Sequence, residues 1–573
     1  MILLILLWSV AVSGQTMAQF IFHGERLDLS PHQFQSGIMS GLMLQSGVDT
    51  MPFWLTANRM GLFDTRSAGN ALFYQTWRGH FLKTEPNWEM TIQGSYSALL
   101  SDEDHAFRVS TLSVHLTGHR FFRFSAGRYP EIVGFTAPYL STGAMMQSLN
   151  ALPLWKVAIE NPEFWSFPGT WGRIQFKGRW SEGITTDNRY MDGTNVHQKY
   201  LYINVKPHRN LNLMGGFIHQ VQWGGSSPDG RREHRSFTDY LSSVFGSSES
   251  DAVVTPLGNS IAAYDFAATF HHSKFSAAAM RLFYLEDLVS TRFRSPWDGL
   301  WSGWFHWKDG TPAVNYVVYE HINTKQQDAR IVDIPGRANY YTHGRYRNGW
   351  THYGHGMGNP LFTVDPARMG TPDRTIVNGI MIGHHLGLTG YLNPNLKWSG
   401  MFTWTRNYGV CTDQMVVVQS CYSSQNVPLR EQDNYIPLSE LRKDRFSMYA
   451  GIVYRISKKA SSNKGAKEEY ISYGSQYDSE GVNHSGKRVF RPGNEENIRS
   501  EKGTKVSGKY NGSTPDRVGV KEFKFIEHVP SYLESFFRSG YDVDMKLSIA
   551  FDWGEFYDQP RIGLEFGLIL FLK

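Results

Sequence analysis

Three histidines fall within the Gly-rich run "YYTHGRYRNGWTHYGHGMGNP": His343, His352 and His355. His-rich tracts can bind metal, but no strong ligand spacing is present here. His384 and His385 in "IGHHLGLTG" are adjacent, so on a strand they would face opposite sides and could not chelate one ion together. No metal or other cofactor is expected. The acidic run "SDEDH" (101–105) offers carboxylates, yet a glycosidase pair depends on separation in space, and the run reads as a solvated loop. No G-x-S-x-G, H-E-x-x-H or P-loop pattern is apparent. A lipase-like Ser/His pair assembled from distant strands would have no local signature, and none is visible. The chain is therefore read as a binder and not an enzyme.

Aromatic residues say more. "SPWDGLWSGWFHWKDG" gathers Trp297, Trp301, Trp304, Phe305 and Trp307, expected together in one outer loop. A second crowd holds Tyr340, Tyr341, Tyr346, Trp350 and Tyr353, mixed with Arg345, Arg347, Asn348 and His352. One reading is an aromatic girdle at a membrane interface. The other is a saccharide platform, where ring faces stack on sugar CH groups while Arg, Asn and His bond hydroxyls and acid groups. On that second reading the polysaccharide contacts would be Trp350, Arg345, Tyr346, Asn348, His352, Tyr353, Trp301 and Trp304.

Residues so scattered need a frame, and the frame has a period of two. From Tyr541 to Trp553 the odd positions are apolar, while the even ones read Asp542, Asp544, Lys546, Ser548, Ala550 and Asp552. The alternation returns in Leu564, Phe566, Leu568, Leu570 and Leu572, and recurs upstream in "NWEMTIQGSYSA", "QKYLYINVKPHRNLNLMGGFIHQVQW" and "RFSMYAGIVYRIS". Such alternation marks strands with one apolar and one polar face. Runs of about 9–13 residues match a tilted strand crossing a bilayer, and exceed the usual length in a soluble sandwich. Tight turns such as 207–210, 272–274 and 393–395 alternate with long connections such as 223–260, 287–312 and 408–444. The fold class expected is all-β: a transmembrane antiparallel β-barrel of about 18 strands with long extracellular loops. Hydrocarbon offers no partner to backbone N–H and C=O, so such a sheet must close, with its charged face turned inward.

The remaining features fit export. Residues 1–18, "MILLILLWSVAVSGQTMA", have the apolar run and small-residue end of a signal peptide, although no Lys or Arg precedes the run. The expected organisation is a 19–36 N-terminal segment, a barrel over 37–457, a Lys/Gly/Ser/Asn/Glu-rich disordered insertion over 458–520, and closing strands over 521–573. Counted back from a periplasmic C-terminus, the insertion falls on the periplasmic side, unless "VKEFKFIEHV" hides an extra strand. Cys411 and Cys421 are the two cysteines, and once exported they could bridge one loop. A formal net charge of +5, with Lys and Arg scattered among carboxylates, gives no argument for nucleic acid.

Ordered along residues 37–455 are "PFWLTANRMG" (52–61), "STGAMMQSLNALP" (141–153), "QWGGSSPDG" (222–230), "YEHINTKQQ" (319–327), "NYYTHGRYRNGWTHYGHGMGNPL" (339–361) and "GHHLGLTGY" (383–391). In these the chain resembles the Wzi-type capsule assembly proteins of the outer membrane, in their Bacteroidetes-like form. The resemblance implies an 18-stranded barrel with a blocked lumen and a lectin-like role in assembling or retaining capsular polysaccharide at the cell surface. Phe53, Trp54, Asn58 and Arg59 match its first signature and are expected in a packed loop on the barrel rim. Asn150 and Pro153 are expected to shape a turn. The helical plug of enterobacterial members is not evident in "FIFHGERLDLSPHQFQ" or elsewhere, and the 458–520 insertion has no counterpart. The expected setting is the outer membrane of a Gram-negative bacterium. The expected partners are capsular or surface polysaccharide, outer-membrane lipid and lipopolysaccharide, around a monomer. A porin or uptake channel is the first rival, and an outer-membrane enzyme the second.

Overall fold

A computed structural model describes residues 37–84, 88–103, 105–118, 121–233, 236–245, 258–286, 295–308, 312–327, 340–410, 442–456 and 542–572. The leader, the 19–36 segment, the 458–520 insertion, residues 521–541 and both cysteines lie outside these. The wall is built from β1 (Gly37–Gly47), β2 (Gly69–Thr84), β3 (Trp88–Ser101), β4 (His105–Gly118), β5 (Phe122–Arg128) and β6 (Trp155–Glu160). It continues with β7 (Ile174–Ile184), β8 (Asn195–His208), β9 (Leu211–Trp223), β10 (Asn259–His271), β11 (Phe275–Leu285) and β12 (Gly299–Trp307). The circuit ends with β13 (Tyr316–Asn323), β14 (Met381–Asn393), β15 (Leu396–Asn407), β16 (Lys443–Ile456), β17 (Asp542–Trp553) and β18 (Arg561–Leu572). Each strand pairs antiparallel with the next, and β18 closes on β1 through pairs such as Leu42↔Leu568. The sheet has nineteen strands, one of which, the two-residue Trp165–Ser166, only extends the edge beside β7, so eighteen form the closed wall.

The alternation read from the closing strands is realised. On β17 and β18 the lumenal positions hold Asp544, Lys546, Asp552 and Glu565, each no more than 2 % exposed, while Leu547, Leu564 and Phe566 face outward and stay exposed. An apolar belt around a closed wall is the architecture of an outer-membrane barrel. Turns at 209–210, 272–274 and 394–395 share one end with the start of β1 and the end of β18, and such short turns mark the periplasmic end. The long connections 48–68, 129–154, 224–258 and 324–380 leave from the other. Strands β16 and β17 pair directly, as in Gly451↔Ser548. Among the described residues no strand lies between them, and β16 ends and β17 begins at the periplasmic end.

Two expectations are corrected. Trp301, Trp304, Phe305 and Trp307 do not share an outer loop, because they lie within β12. There Trp301, Phe305 and Trp307 face outward, and Trp304 faces the lumen against Tyr316. The pair His384/His385 does split across the wall as alternation requires. His384 stacks outside on Trp404 with ring centroids 5.4 Å apart. His385 points inward, with Nε2 2.6 Å from Leu140 O and Nδ1 2.8 Å from Thr403 Oγ1. The rim loop expected around Phe53–Arg59 instead lies inside the barrel, where its short helix α1 (Phe53–Thr56) packs on β16 and β17.

The lumen is filled by three returning connections: 48–68, 129–154 and the described parts of 324–380. Met60, Leu62, Phe63, Leu149 and Leu152 form one core with Met39, Met43, Tyr74 and Ile569 of the wall. Val133, Phe135, Leu140, Tyr340, Tyr341, Trp350 and Met357 form another with the inner faces of β8 to β14. Inserted backbone needs partners, and wall carboxylates supply them. Asp552 accepts from Phe53 N at 2.7 Å, and Asp265 from Phe135 N at 2.6 Å. Glu320 takes Thr142 N and Oγ1, both at 2.6 Å, together with Ser141 Oγ at 2.7 Å and Ser302 Oγ at 3.1 Å. A Cβ on Gly216 would strike the ring of Tyr202, whose hydroxyl donates to Asp265 at 2.8 Å.

Hydrogen bonds to a charged acceptor contribute about 1.5–3 kcal/mol each. Glu320→Ala strands several buried donors at once, so it is expected to destabilise the barrel by about 3 kcal/mol or more, with Glu320→Gln losing clearly less. Urea unfolding in detergent measures both.

Candidate functional site: the extracellular face of the plug

The three inserted segments bind one another as well as the wall. Met60 N donates to Leu149 O at 2.6 Å, and Ser148 N to Met357 O at 2.8 Å. Asn150 ties all three, accepting from Asn58 N at 3.1 Å and donating to Gly356 O at 3.1 Å. Asn150, expected to shape a turn, is instead a cross-link inside the plug.

Most of the aromatic crowd at 340–353 is the core of this plug. Tyr340, Tyr341, Tyr346 and Trp350 are buried, as are Asn348 and His352. Their polar ends reach plug and wall atoms. Tyr340 OH donates to Asp298 at 2.8 Å, Tyr346 OH to Gly224 O at 3.1 Å, and Tyr341 OH to Met145 O. Asn348 accepts from Tyr190 N at 2.6 Å and donates to Thr375 Oγ1 at 2.7 Å. An open platform was expected of these residues. The structure instead uses the amphipathic rings to fill a lumen lined with carbonyls and carboxylates. Of the eight candidates, Arg345 and Tyr353 open toward extracellular solvent, while Trp301 is exposed on the outer wall and Trp304 is buried in the lumen.

Tyr353 owes its exposure to a turn. Thr351–His352 and His355–Gly356 pair as a tiny hairpin whose two tip residues, Tyr353 and Gly354, have φ of 50° and 74°. Two positive φ values make a type I′ turn, unusual for tyrosine. Asp187 holds the tip, accepting from Tyr353 N at 2.9 Å while gripping Arg189 at 2.7 and 3.1 Å. Burial alone would raise the Asp187 carboxyl, but Arg189 and the hydrogen bonds outweigh it and hold it below the usual range. Beside the tip, Arg128 lies 5.0 Å from the Trp155 ring and 5.9 Å from the Tyr353 ring.

A second feature is cationic. Buried Glu233 accepts from Arg231 at 3.2 Å and Arg345 at 3.3 Å, and both arginines are about half exposed. Close by, His343 is pushed down to about 4, first by burial and then by Arg345, Arg374 and Arg347. Arg231 and Arg345 thus converge on one carboxylate, and Arg345, Arg374 and Arg347 add positive charge around His343.

No family model and no curated protein matches this chain. Among solved structures it is similar to Wzi of Escherichia coli, an outer-membrane protein involved in group 1 capsule assembly and described as a carbohydrate-binding β-barrel. The identity there is 12 %, the TM-score 0.48, and the match covers 92 % of this chain and 83 % of that one. It is also similar to OccK5 (OpdH) of Pseudomonas aeruginosa, at 8 % identity, TM-score 0.38, and 93 % and 96 % coverage. A third is OmpF of Salmonella typhi, in complex with daunomycin, at 6 % identity, TM-score 0.35, and 93 % and 97 % coverage. The barrel described above rests on its own strand pairings.

On its periplasmic side the plug leaves a small, partly open pocket, lined by Trp54, Asn58, Arg59, Tyr139, Tyr449 and Lys546 among others. Arg59 and Lys546 share the carboxylate of Glu565, at 3.3 and 2.6 Å. Sequence reading passed over Arg128, Asp187, Arg231 and Glu233, which lie in three separate stretches; Arg128 and Asp187 meet Tyr353, and Glu233 meets Arg345, only in the folded barrel.

Two measurements separate core from surface. Trp350→Ala should cost about 3–5 kcal/mol by emptying the plug core. Tyr353→Gly should stay within about 1 kcal/mol, because relief of the left-handed backbone offsets the lost hydroxyl contact and the greater chain entropy. Thermal melting distinguishes them.

A pH effect follows from His352. Burial pushes it down to about 4, helped by Arg189 and Arg128 and opposed by Asp187 and the bond to Leu152 O. Its Nδ1 donates to that carbonyl at 2.6 Å, and its Nε2 accepts from Thr186 N at 3.4 Å. Protonation would turn the acceptor into a donor. The unfolded chain binds the proton first, so stability is full above about pH 6.5 and falls as the pH drops toward about 4. Hydrogen exchange of the Thr351–Gly356 amides should accelerate relative to the wall strands over that window.

Proposed function

We propose that this barrel retains an acidic capsular or surface polysaccharide on the extracellular face of its plug, by binding and without bond chemistry. The observation that carries this reading is the pair of half-exposed arginines, Arg231 and Arg345, that share Glu233, together with the exposed ring of Tyr353. Guanidinium groups offer paired N–H donors to carboxylates and to sugar hydroxyls. An exposed ring can stack on sugar CH faces, with its hydroxyl at the wet edge. Each exposed ion pair is worth little alone, at most about 1 kcal/mol. A repeating polymer engages many such contacts across neighbouring barrels, and affinity then comes from multiplicity.

A second reading has its own observation. The cavity behind the plug, with Arg59, Lys546, Trp54 and Tyr139, would suit a solute passing through a channel. Ion conductance of the purified barrel in planar bilayers tests it. Steady porin-like current would favour transport, and a silent barrel would favour retention.

Retention is tested on cells lacking the protein, comparing cell-bound with released glycan while total synthesis is followed. Total glycan should be unchanged, with the bound fraction shifted into the medium. Complementation with Tyr353→Gly combined with Arg345→Ala should restore the folded barrel but not the bound fraction. An unchanged distribution in the deleted strain would reject the reading for that glycan.

A further inference from the structure

One element of the barrel lies outside it. Helix α2 (Phe237–Phe245) belongs to the extracellular connection between β9 and β10, yet it packs against the outer face of the wall. Its start is capped by Ser236 and Asp239, each side chain bonding the other's backbone N–H at 3.1 and 3.0 Å. Beneath it lie outward-pointing residues that do not suit hydrocarbon: Glu182 on β7, His197 and Lys199 on β8, and His219 on β9. Register sets Lys199 beside His219 and His197 beside Val221.

The helix is fastened to this patch at its middle and at its C-terminal end. Tyr240 OH donates to Glu182 at 2.6 Å, and the Tyr240 ring lies 5.1 Å from that of Trp223. Lys199 Nζ donates to Val244 O, one of the last carbonyls of the helix, and sits 5.0 Å from the ring of Phe245. A cation at a helix C-terminus meets the negative end of the dipole. Under this roof His197 and Val221 are fully buried, although both point away from the lumen.

What the helix covers explains its inner face. Its outer face carries Phe237, Leu241 and Phe245, four residues apart and so on one side, exposed by 74, 36 and 70 %. One row lower on the same strands the apolar belt begins, with Leu201 paired to Phe217. Leu201, at 54 %, and Phe217, at 38 %, are exposed like the helix face above them. The two surfaces are continuous.

We infer that α2 is an interfacial helix whose Phe237, Leu241 and Phe245 face contacts acyl chains of the outer leaflet. It extends the lipid belt over a polar patch that the strands alone would leave facing the membrane. Burying a charged or polar group against hydrocarbon is costly, and the roof removes that cost while its aromatic ends sit at the boundary where such rings settle.

The test uses the full barrel in vesicles of phosphatidylethanolamine and phosphatidylglycerol, with Cys411→Ser and Cys421→Ser. A spin label is placed at Leu241→Cys or Phe245→Cys, and its collision rates with oxygen and with a water-soluble nickel chelate are compared. Leu201→Cys on the belt and Arg232→Cys in the extracellular loop are the references. The oxygen-to-nickel ratios at Leu241 and Phe245 should shift to that of Leu201. Ratios at or near that of Arg232 would place the face in water and overturn the inference. So would spin–spin broadening that vanishes on dilution with unlabelled protein, because a second copy and not lipid would then cover the helix.

Discussion

Backbone hydrogen bonding governs this structure twice. In the wall, hydrocarbon forces every strand to find a neighbour, and closure of β18 on β1 removes the last open edge. In the lumen the same demand returns, because three long connections fold back into a space with little room for water. Irregular backbone cannot satisfy itself there. The inward face of the wall therefore has to carry acceptors, and Asp265, Glu320 and Asp552 each receive an N–H from an inserted segment. Charge on the lumenal face belongs to the fastening of the plug as much as to solvation.

This explains which parts of the fold were legible in the sequence. The wall could be read because alternation is a local signal: β17, β18 and the split pair His384/His385 follow from period two alone. Trp301 to Trp307 were misplaced because four large aromatics in seven residues mask the alternation, with Trp304 apolar on the lumenal side where polar residues were expected. The plug could not be read at all from period or composition. Its segments look like loops, rich in Gly, Ser and Asn, and nothing local says that a loop turns inward. Three stretches far apart in the chain, around Trp54, Met145 and Trp350, meet inside the barrel.

The site was legible only in part, for a related reason. Aromatic residues beside Arg and Asn suggest a saccharide surface, but the same mixture suits a packed interior lined with carbonyls. Tyr340, Tyr341 and Tyr346 use their hydroxyls inward. The difference lies in orientation, which one chain read alone does not display. Glu233 and Asp187 were invisible for another reason: each acts on a residue more than 100 positions away, Arg345 and Tyr353 respectively.

Tyr353 shows how the plug serves the surface. A tyrosine at a left-handed tip position is held against its backbone preference, at a cost on the order of 1–3 kcal/mol. The bond from its N–H to Asp187, the grip of Asp187 on Arg189, and the bond from Arg189 to Thr351 O at 2.6 Å fix the first strand and the tip of the hairpin. Below them His352 is locked to Leu152 O of a second plug segment. The exposed ring is thus the end of a chain of buried polar contacts running into the lumen. A loop free in solvent could present the same ring only by also ordering itself on binding, which would weaken each contact. By folding its loops into its own barrel, the protein orders them before any ligand arrives.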